Sequence, residues 1–253
     1  MIRTLLVRGL LLGLLAGFAA GGFAFLFGEP HVDSAIALEE AAAAHAPAAG
    51  PAEEAGHDHG EDAAVSRPVQ KAGLFLATGL YGLAVGGVFA LVYAGLRGRV
   101  GPRSDGGLAL AAAATAFGAV ILVPFLKYPA NPPAVGDPET INGRTVLYVV
   151  MVLVGLAAVA IAVATARHVH SGPWPRWTAA VAAFLVPVVA AWLLLPAVDE
   201  VPEGFPAGLL WEFRLASLGT QLVFWAAFGA LFGWVSDRAA RRPAFAAPAL
   251  SRS

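Results

Sequence analysis

Residues 146–166 read VLYVVMVLVGLAAVAIAVATA, an apolar stretch without one charged side chain. A helix of about 20 such residues crosses the hydrocarbon core of a bilayer at 1.5 Å per residue. Working outward, five further runs have the same character: Leu5–Phe27, Leu74–Leu96, Leu108–Phe125, Ala179–Leu195 and Leu215–Val235. In chain order the third and fifth are the shortest, and the fifth carries Pro187. A proline there is tolerated where neighbouring groups satisfy the carbonyl it frees. The pattern predicts an all-α fold, a polytopic membrane bundle of six transmembrane helices forming a single domain over residues 1–253. The first run also admits a second reading, as a signal peptide, because Arg3 and Arg8 precede an apolar stretch with small residues at Ala19 and Ala20.

Composition supports lipid as the solvent. Of 253 residues, 58% are hydrophobic and only 13% charged, and the mean hydropathy is +0.71. A soluble fold needs a charged skin, whereas here charge is confined to the intervals between apolar runs. The net charge of −1 provides no basic field for nucleic acid. Cysteine is absent, which removes disulfides, thiolate metal ligands and cysteine nucleophiles. Any metal must meet imidazole, carboxylate or carbonyl oxygen. No Walker lysine motif, HExxH or nucleophile elbow occurs, so an ATP site and an enzymatic activity are not expected.

Lysine and arginine near span ends are retained in the cytoplasm. With both termini inside, inner segments hold eleven cations, among them Arg97, Arg99, Arg103, Arg238 and Arg241, against five outside: Arg67, Lys71, Lys127, Arg144 and Arg214. The expected location is therefore a bacterial inner membrane with cytoplasmic termini, residues 236–253 forming a basic cytoplasmic tail. Residues 28–68 become a long external loop, largely disordered, especially over 41–64. Within it, alanine and glutamate over 32–44 predict a short surface helix with Asp33 or Ser34 as N-cap. Residues 127–144, with four prolines, predict an irregular outer connection.

Candidate side chains fall into three groups. His57, Asp58, His59 and Glu61 collect imidazole and carboxylate in the long loop, and alternate residues of an extended strand share a face. Metal capture and an inert solubilising segment both fit that pattern. Glu29, His31 and Asp33 end span one and form a second candidate metal site. Polar groups also gather on span six, where Arg214, Ser217 and Gln221 share a helical face that lipid cannot satisfy. Glu29, Asp199, Glu200 and Glu212, with Arg144 and Arg214, all reach the outer interface and are expected around one mouth. Glycines four apart, at Gly9, Gly13, Gly17 and Gly21, at Gly82 and Gly86, and at Gly229 and Gly233, predict close backbone packing among spans one, two and six.

Four strings together carry a family resemblance: GEP at 28–30, His57-Asp58-His59, LKYPANPPAVGDPE at 126–139 followed by Arg144-Thr145, and LPAVDEVPEGFPAGLLWEFRLASLGTQ at 195–221. They resemble the CbtA family of cobalt transporter subunits, in the branch found in actinobacteria. The resemblance spans essentially the whole chain. It implies a subunit of a cobalt uptake permease, capturing the ion on the external face and working with a small single-span, His-rich subunit, CbtB. It implies no cofactor, cobalt being cargo. By position, residues 57–61 match the family's external His-rich loop and Arg144 the arginine that opens span four. A reading of another class stays open, that of an assembly protein whose glycine-rich helices scaffold a membrane complex.

Overall fold

The computed structural model describes residues 2–45 and 66–241, and these contain helices and turns but no strand. The helices are α1 (Ile2–Phe23), α2 (Glu29–His45), α3 (Arg67–Leu96), α4 (Asp105–Ala116), α5 (Val123–Lys127), α6 (Ile141–His168), α7 (Pro173–Leu194) and α8 (Ala207–Ala240). A π turn, Ala24–Gly28, joins α1 to α2 without a break, and a second, Phe117–Leu122, joins α4 to α5. Counting α1 with α2 and α4 with α5, six helices are long and apolar enough to cross a membrane. The chain is a multi-pass membrane protein.

Each π turn ends two residues before a proline, Pro30 in the first case and Pro124 in the second. Proline donates no hydrogen bond to the carbonyl four residues earlier and its ring crowds that carbonyl. A locally widened turn relieves the crowding and lets the helix continue. Val120, four residues before Pro124, finds a substitute donor in the Tyr148 hydroxyl at 3.4 Å.

This continuity bears out helix over 32–44 but corrects its expected start. No helix starts at Asp33 or Ser34, and Ser34 instead donates its hydroxyl to the Pro30 carbonyl, 2.8 Å away, inside a running helix. The π turn carries the helix past Pro30, and the alanines and glutamates that follow sustain it. Residues 29–45 are helical and include the whole of the expected 32–44 helix, while 46–65, including His57, Asp58, His59 and Glu61, lie outside the described residues. The 43 residues from Ile2 to Ala44 would extend about 65 Å as one helix, twice a hydrocarbon core, so α2 stands beyond the bilayer.

Helices in lipid gain little from burying apolar surface against each other and associate through close packing. In α1 and α3 the seam is antiparallel. Gly9 faces Gly86, Gly13 faces Gly82 and Gly17 faces Thr78, and a methyl group at any of these glycines would overlap the opposing carbonyl oxygen. The glycines of α8 meet a different partner: Gly229 packs on Ala113 and Leu110, and Gly233 on Gly106 and Ala109, all on α4. Gly155 brings α6 onto the second π turn, where a methyl would strike the Ala119 carbonyl. Between α3 and α8 lies an aromatic core of Phe89, Tyr93, Phe224, Phe228 and Phe232, with edge-on contacts such as Phe89 to Phe228 at 4.9 Å.

The bundle has two polar ends. The α2 end holds α2 and the loops 128–137 and 195–206. The terminal end holds Ile2, the 97–104 loop and the last turn of α8. There Arg97 grips Asp105 with two hydrogen bonds, one of them 2.7 Å from Nε, and the Tyr93 hydroxyl donates to the Asp105 carbonyl at 3.0 Å.

A candidate site at the α2 end of the bundle

A cavity of about 540 Å³ opens where α5, α6 and α8 meet the 128–137 loop. Its polar lining includes Tyr128, Asn131, Arg144, Tyr148, Arg214 and Gln221, with the hydroxyls of Thr145 and Ser217, and no carboxylate lines it. The proline-rich loop forms one wall because its backbone is anchored at several points. The Tyr128 hydroxyl donates to the Pro196 carbonyl at 2.8 Å, and burial pushes that hydroxyl above its ordinary range. Glu200 accepts from the Asp137 backbone N–H at 3.1 Å, and Asp137 in turn caps the short turn Pro138–Thr140 that starts α6.

The two arginines reach the cavity from different helices. Arg214, two turns into α8, donates to the Ala130 carbonyl at 3.3 Å and to Asn131 Oδ1 at 2.9 Å. Arg144, in the first turn of α6, places Nε 3.4 Å from Glu200 Oε2 and lies over Gly136. Gly136 has φ of 113°, and a side chain there would overlap the Arg144 guanidinium. Both conformation and space therefore favour glycine at that point. Asp199 acts electrostatically on Arg214. On α8, Gln221 accepts from the Tyr81 hydroxyl of α3 at 3.2 Å.

A second polar cluster fastens α2 to α3. Arg67 donates to Glu29 at 2.7 Å and to Asp33 at 2.5 Å, and Lys71 donates to the other Asp33 oxygen at 2.6 Å. His31 turns to α8 and lies 3.6 Å from Glu212. The residues expected at one mouth thus divide. Arg144, Arg214, Glu200 and Asp199 belong to the cavity and its rim, whereas Glu29 and Glu212 belong to the α2 cluster. Glu29, His31 and Asp33 do not converge on one point, and no group of three metal-ligating side chains occurs among the described residues. The reason is the pair of cations on α3, which draws both carboxylates to one side of the helix.

Sequence reading missed Tyr128, Asn131 and Tyr148 as cavity residues and Gly155 as a contact point. Tyr148 and Gly155 sit in an apolar run whose rotation the pattern leaves free. Tyr128 and Asn131 lie beside Pro129 and Pro132, where fixed φ angles make a loop stiff enough to carry a wall.

A family model described as a probable cobalt transporter subunit, CbtA, matches residues 2–237, which include every helix and loop that builds this site. The chain belongs to the CbtA family. Comparison with curated proteins and with solved structures gives no significant match. Membership in this family makes the chain similar to a transporter subunit, that is, to a component that acts with others. The cavity and the α2 cluster both lie within the matched residues.

Proposed function

We propose that this chain is a subunit of a permease that takes up cobalt, or a divalent cation of similar chemistry, from the external face with a small single-span, His-rich partner. The family match over residues 2–237 carries the reading. Its orientation follows from the eleven to five division of cations, with the termini in the cytoplasm and the α2 end outside, in the inner membrane of a bacterial cell. Fifteen of the seventeen acidic residues then lie outside and concentrate dications near the surface. His57, His59, Asp58 and Glu61 supply a tethered chelating segment that raises the local ion concentration. Glu29, His31, Asp33 and Glu212 sit at its base. The spans hold few titratable groups and the chain carries no ATP motif, so the membrane potential is the available driving force. It contributes about 2.3 kcal/mol per charge per 100 mV, doubled for a dication.

Accumulation of radioactive cobalt separates this reading from that of an assembly protein. Cells carrying the chain with its partner should accumulate more label than cells lacking it, and dissipating the potential should abolish the difference. Equal accumulation at every cobalt concentration, with the protein present in the membrane, would favour the scaffold reading.

A further inference from the structure

The cavity at the α2 end has a chemistry that a dication does not explain. Its charged lining consists of two guanidiniums, Arg144 and Arg214, drawn from separate helices. The carboxylates nearest to them, Glu200 and Asp199, lie outside the lining. The hydroxyl groups of the wall are committed elsewhere. Ser217 donates to the Phe213 carbonyl at 2.9 Å, Thr145 to the Ile141 carbonyl at 2.8 Å, and Tyr148 to the Val120 carbonyl. The hydrogen-bond donors left for a ligand are therefore those of the arginines and the amide nitrogens of Asn131 and Gln221, whose oxygens already accept from Arg214 and Tyr81, and only the arginines carry charge.

Those donors are sparsely used. Each guanidinium has five N–H hydrogens in a planar fork that suits two oxygens of one ligand. Arg214 bonds two neutral oxygens of the loop and no carboxylate. Arg144 has one long bond to the Asp137 carbonyl, 3.4 Å, and its buried Nε has no hydrogen-bond partner. The Nε pairs electrostatically with Glu200, 3.4 Å away, without a hydrogen bond, so most of the fork's donors stay unused. Gly136, with its positive φ, leaves room for the Arg144 guanidinium to lie over the loop.

We infer that the cavity binds an oxyanion, a carboxylate or phosphate group held between Arg144 and Arg214. The inference goes beyond the cation reading and assigns the two charges to different parts of the α2 end: cations to the acidic surface, an anion to the cavity. Two sources present this chemistry, the headgroup of an anionic phospholipid and a small soluble anion.

The test uses the full chain in nanodiscs of phosphatidylcholine. Inorganic phosphate and citrate are titrated by calorimetry in one arm. In the other, phosphatidylglycerol replaces part of the lipid, and retained lipid is counted by native mass spectrometry. Saturable binding in the first arm assigns a soluble anion, and selective retention of phosphatidylglycerol assigns the headgroup. In either arm Arg144→Gln and Arg214→Gln should each weaken binding at least tenfold, and Arg144→Lys should recover part of it, because a point charge attracts the anion without the bidentate fork. Lys71→Gln, outside the cavity, should leave binding unchanged. Because Arg214→Gln also loosens the loop, the wild-type measurement decides by itself. Absence of binding by phosphate, citrate and phosphatidylglycerol to the folded protein overturns the inference. So does binding that survives both arginine substitutions, or a cobalt affinity that rises in Arg144→Gln while no anion binds.

Discussion

The carboxylate of Asp237, in the last turns of α8, accepts a hydrogen bond of 2.6 Å from the backbone N–H of Gly106 in the first turn of α4. Asp237 thus caps a helix 131 positions away in sequence, beside the local cap in which Ser104 accepts from the Gly107 N–H. A side chain at residue 106 would overlap the Asp237 carboxylate, so the small residue and the distant acid form one device. Asp237→Ala should lower stability by about 1 kcal/mol, as loss of an N-cap does. Asp237→Asn should cost less, because the amide oxygen still accepts. The unfolding midpoint in sodium dodecyl sulfate measures both, and equal losses for the two variants would show that charge, not the hydrogen bond, carries the effect.

The seam between α1 and α3 predicts a graded response to side-chain size. Gly13→Leu must separate the backbones at Gly82, and overpacking of this kind costs about 1–3 kcal/mol or more. Gly22, one residue beyond Gly21, has open space around its Cα and serves as the control. Gly22→Leu should leave the unfolding midpoint unchanged while Gly13→Leu lowers it sharply. If both variants behave alike, the seam does not form in the membrane.

Arg67 is the hinge pin of the α2 cluster, touching Glu29 and Asp33 together. Arg67→Ala should free α2 from α3. Each exposed pair contributes only up to about 1 kcal/mol, so the global unfolding midpoint should move little. Limited proteolysis within residues 29–45 should nevertheless accelerate several-fold. Unchanged cleavage would mean that α2 is held by contacts other than these ion pairs.

Reporter fusions test the orientation. Those at both termini and in the Arg97–Arg103 loop should read as cytoplasmic, and those near Gly50 and Asp137 as external, on the strength of the cation division. An external C-terminus would require an odd number of spans.

Replacing His57 and His59 together by Ala should reduce cobalt uptake at low concentration and leave uptake at saturating cobalt largely intact. A tethered chelating segment raises local concentration, and its closure entropy limits affinity. Complete loss at saturating cobalt would place the pair in the translocation path.

Several features were legible in the sequence because they are local. The polar face of α8 follows from spacing alone: residues 214, 217 and 221 share a side, and all three line the cavity. Close packing of α1 on α3 follows from glycines four apart. The partner of the α8 glycines did not follow, since Gly229 and Gly233 meet α4 rather than α1 or α3. Nor did the fate of Glu29 and Asp33, which depends on Arg67 and Lys71 lying on the helix that returns beside them. The helical course past Pro30 escaped a propensity reading because proline normally marks an end, and only a widened turn lets the chain continue.

Apolar length is a one-dimensional property, so the sequence by itself determined that six helices cross the membrane and which faces carry glycine or polar groups, although α3 and α8 begin seven and eight residues before their apolar runs. Tertiary structure alone decided which face meets which. The choice depends on the rotation and register of every helix at once, and in lipid, where no hydrophobic force ranks the pairings, close packing and the pairing of buried polar groups decide it. That is why Arg144 and Arg214, 70 positions apart in the chain, come to share one cavity while Glu29 and Glu212 do not enter it.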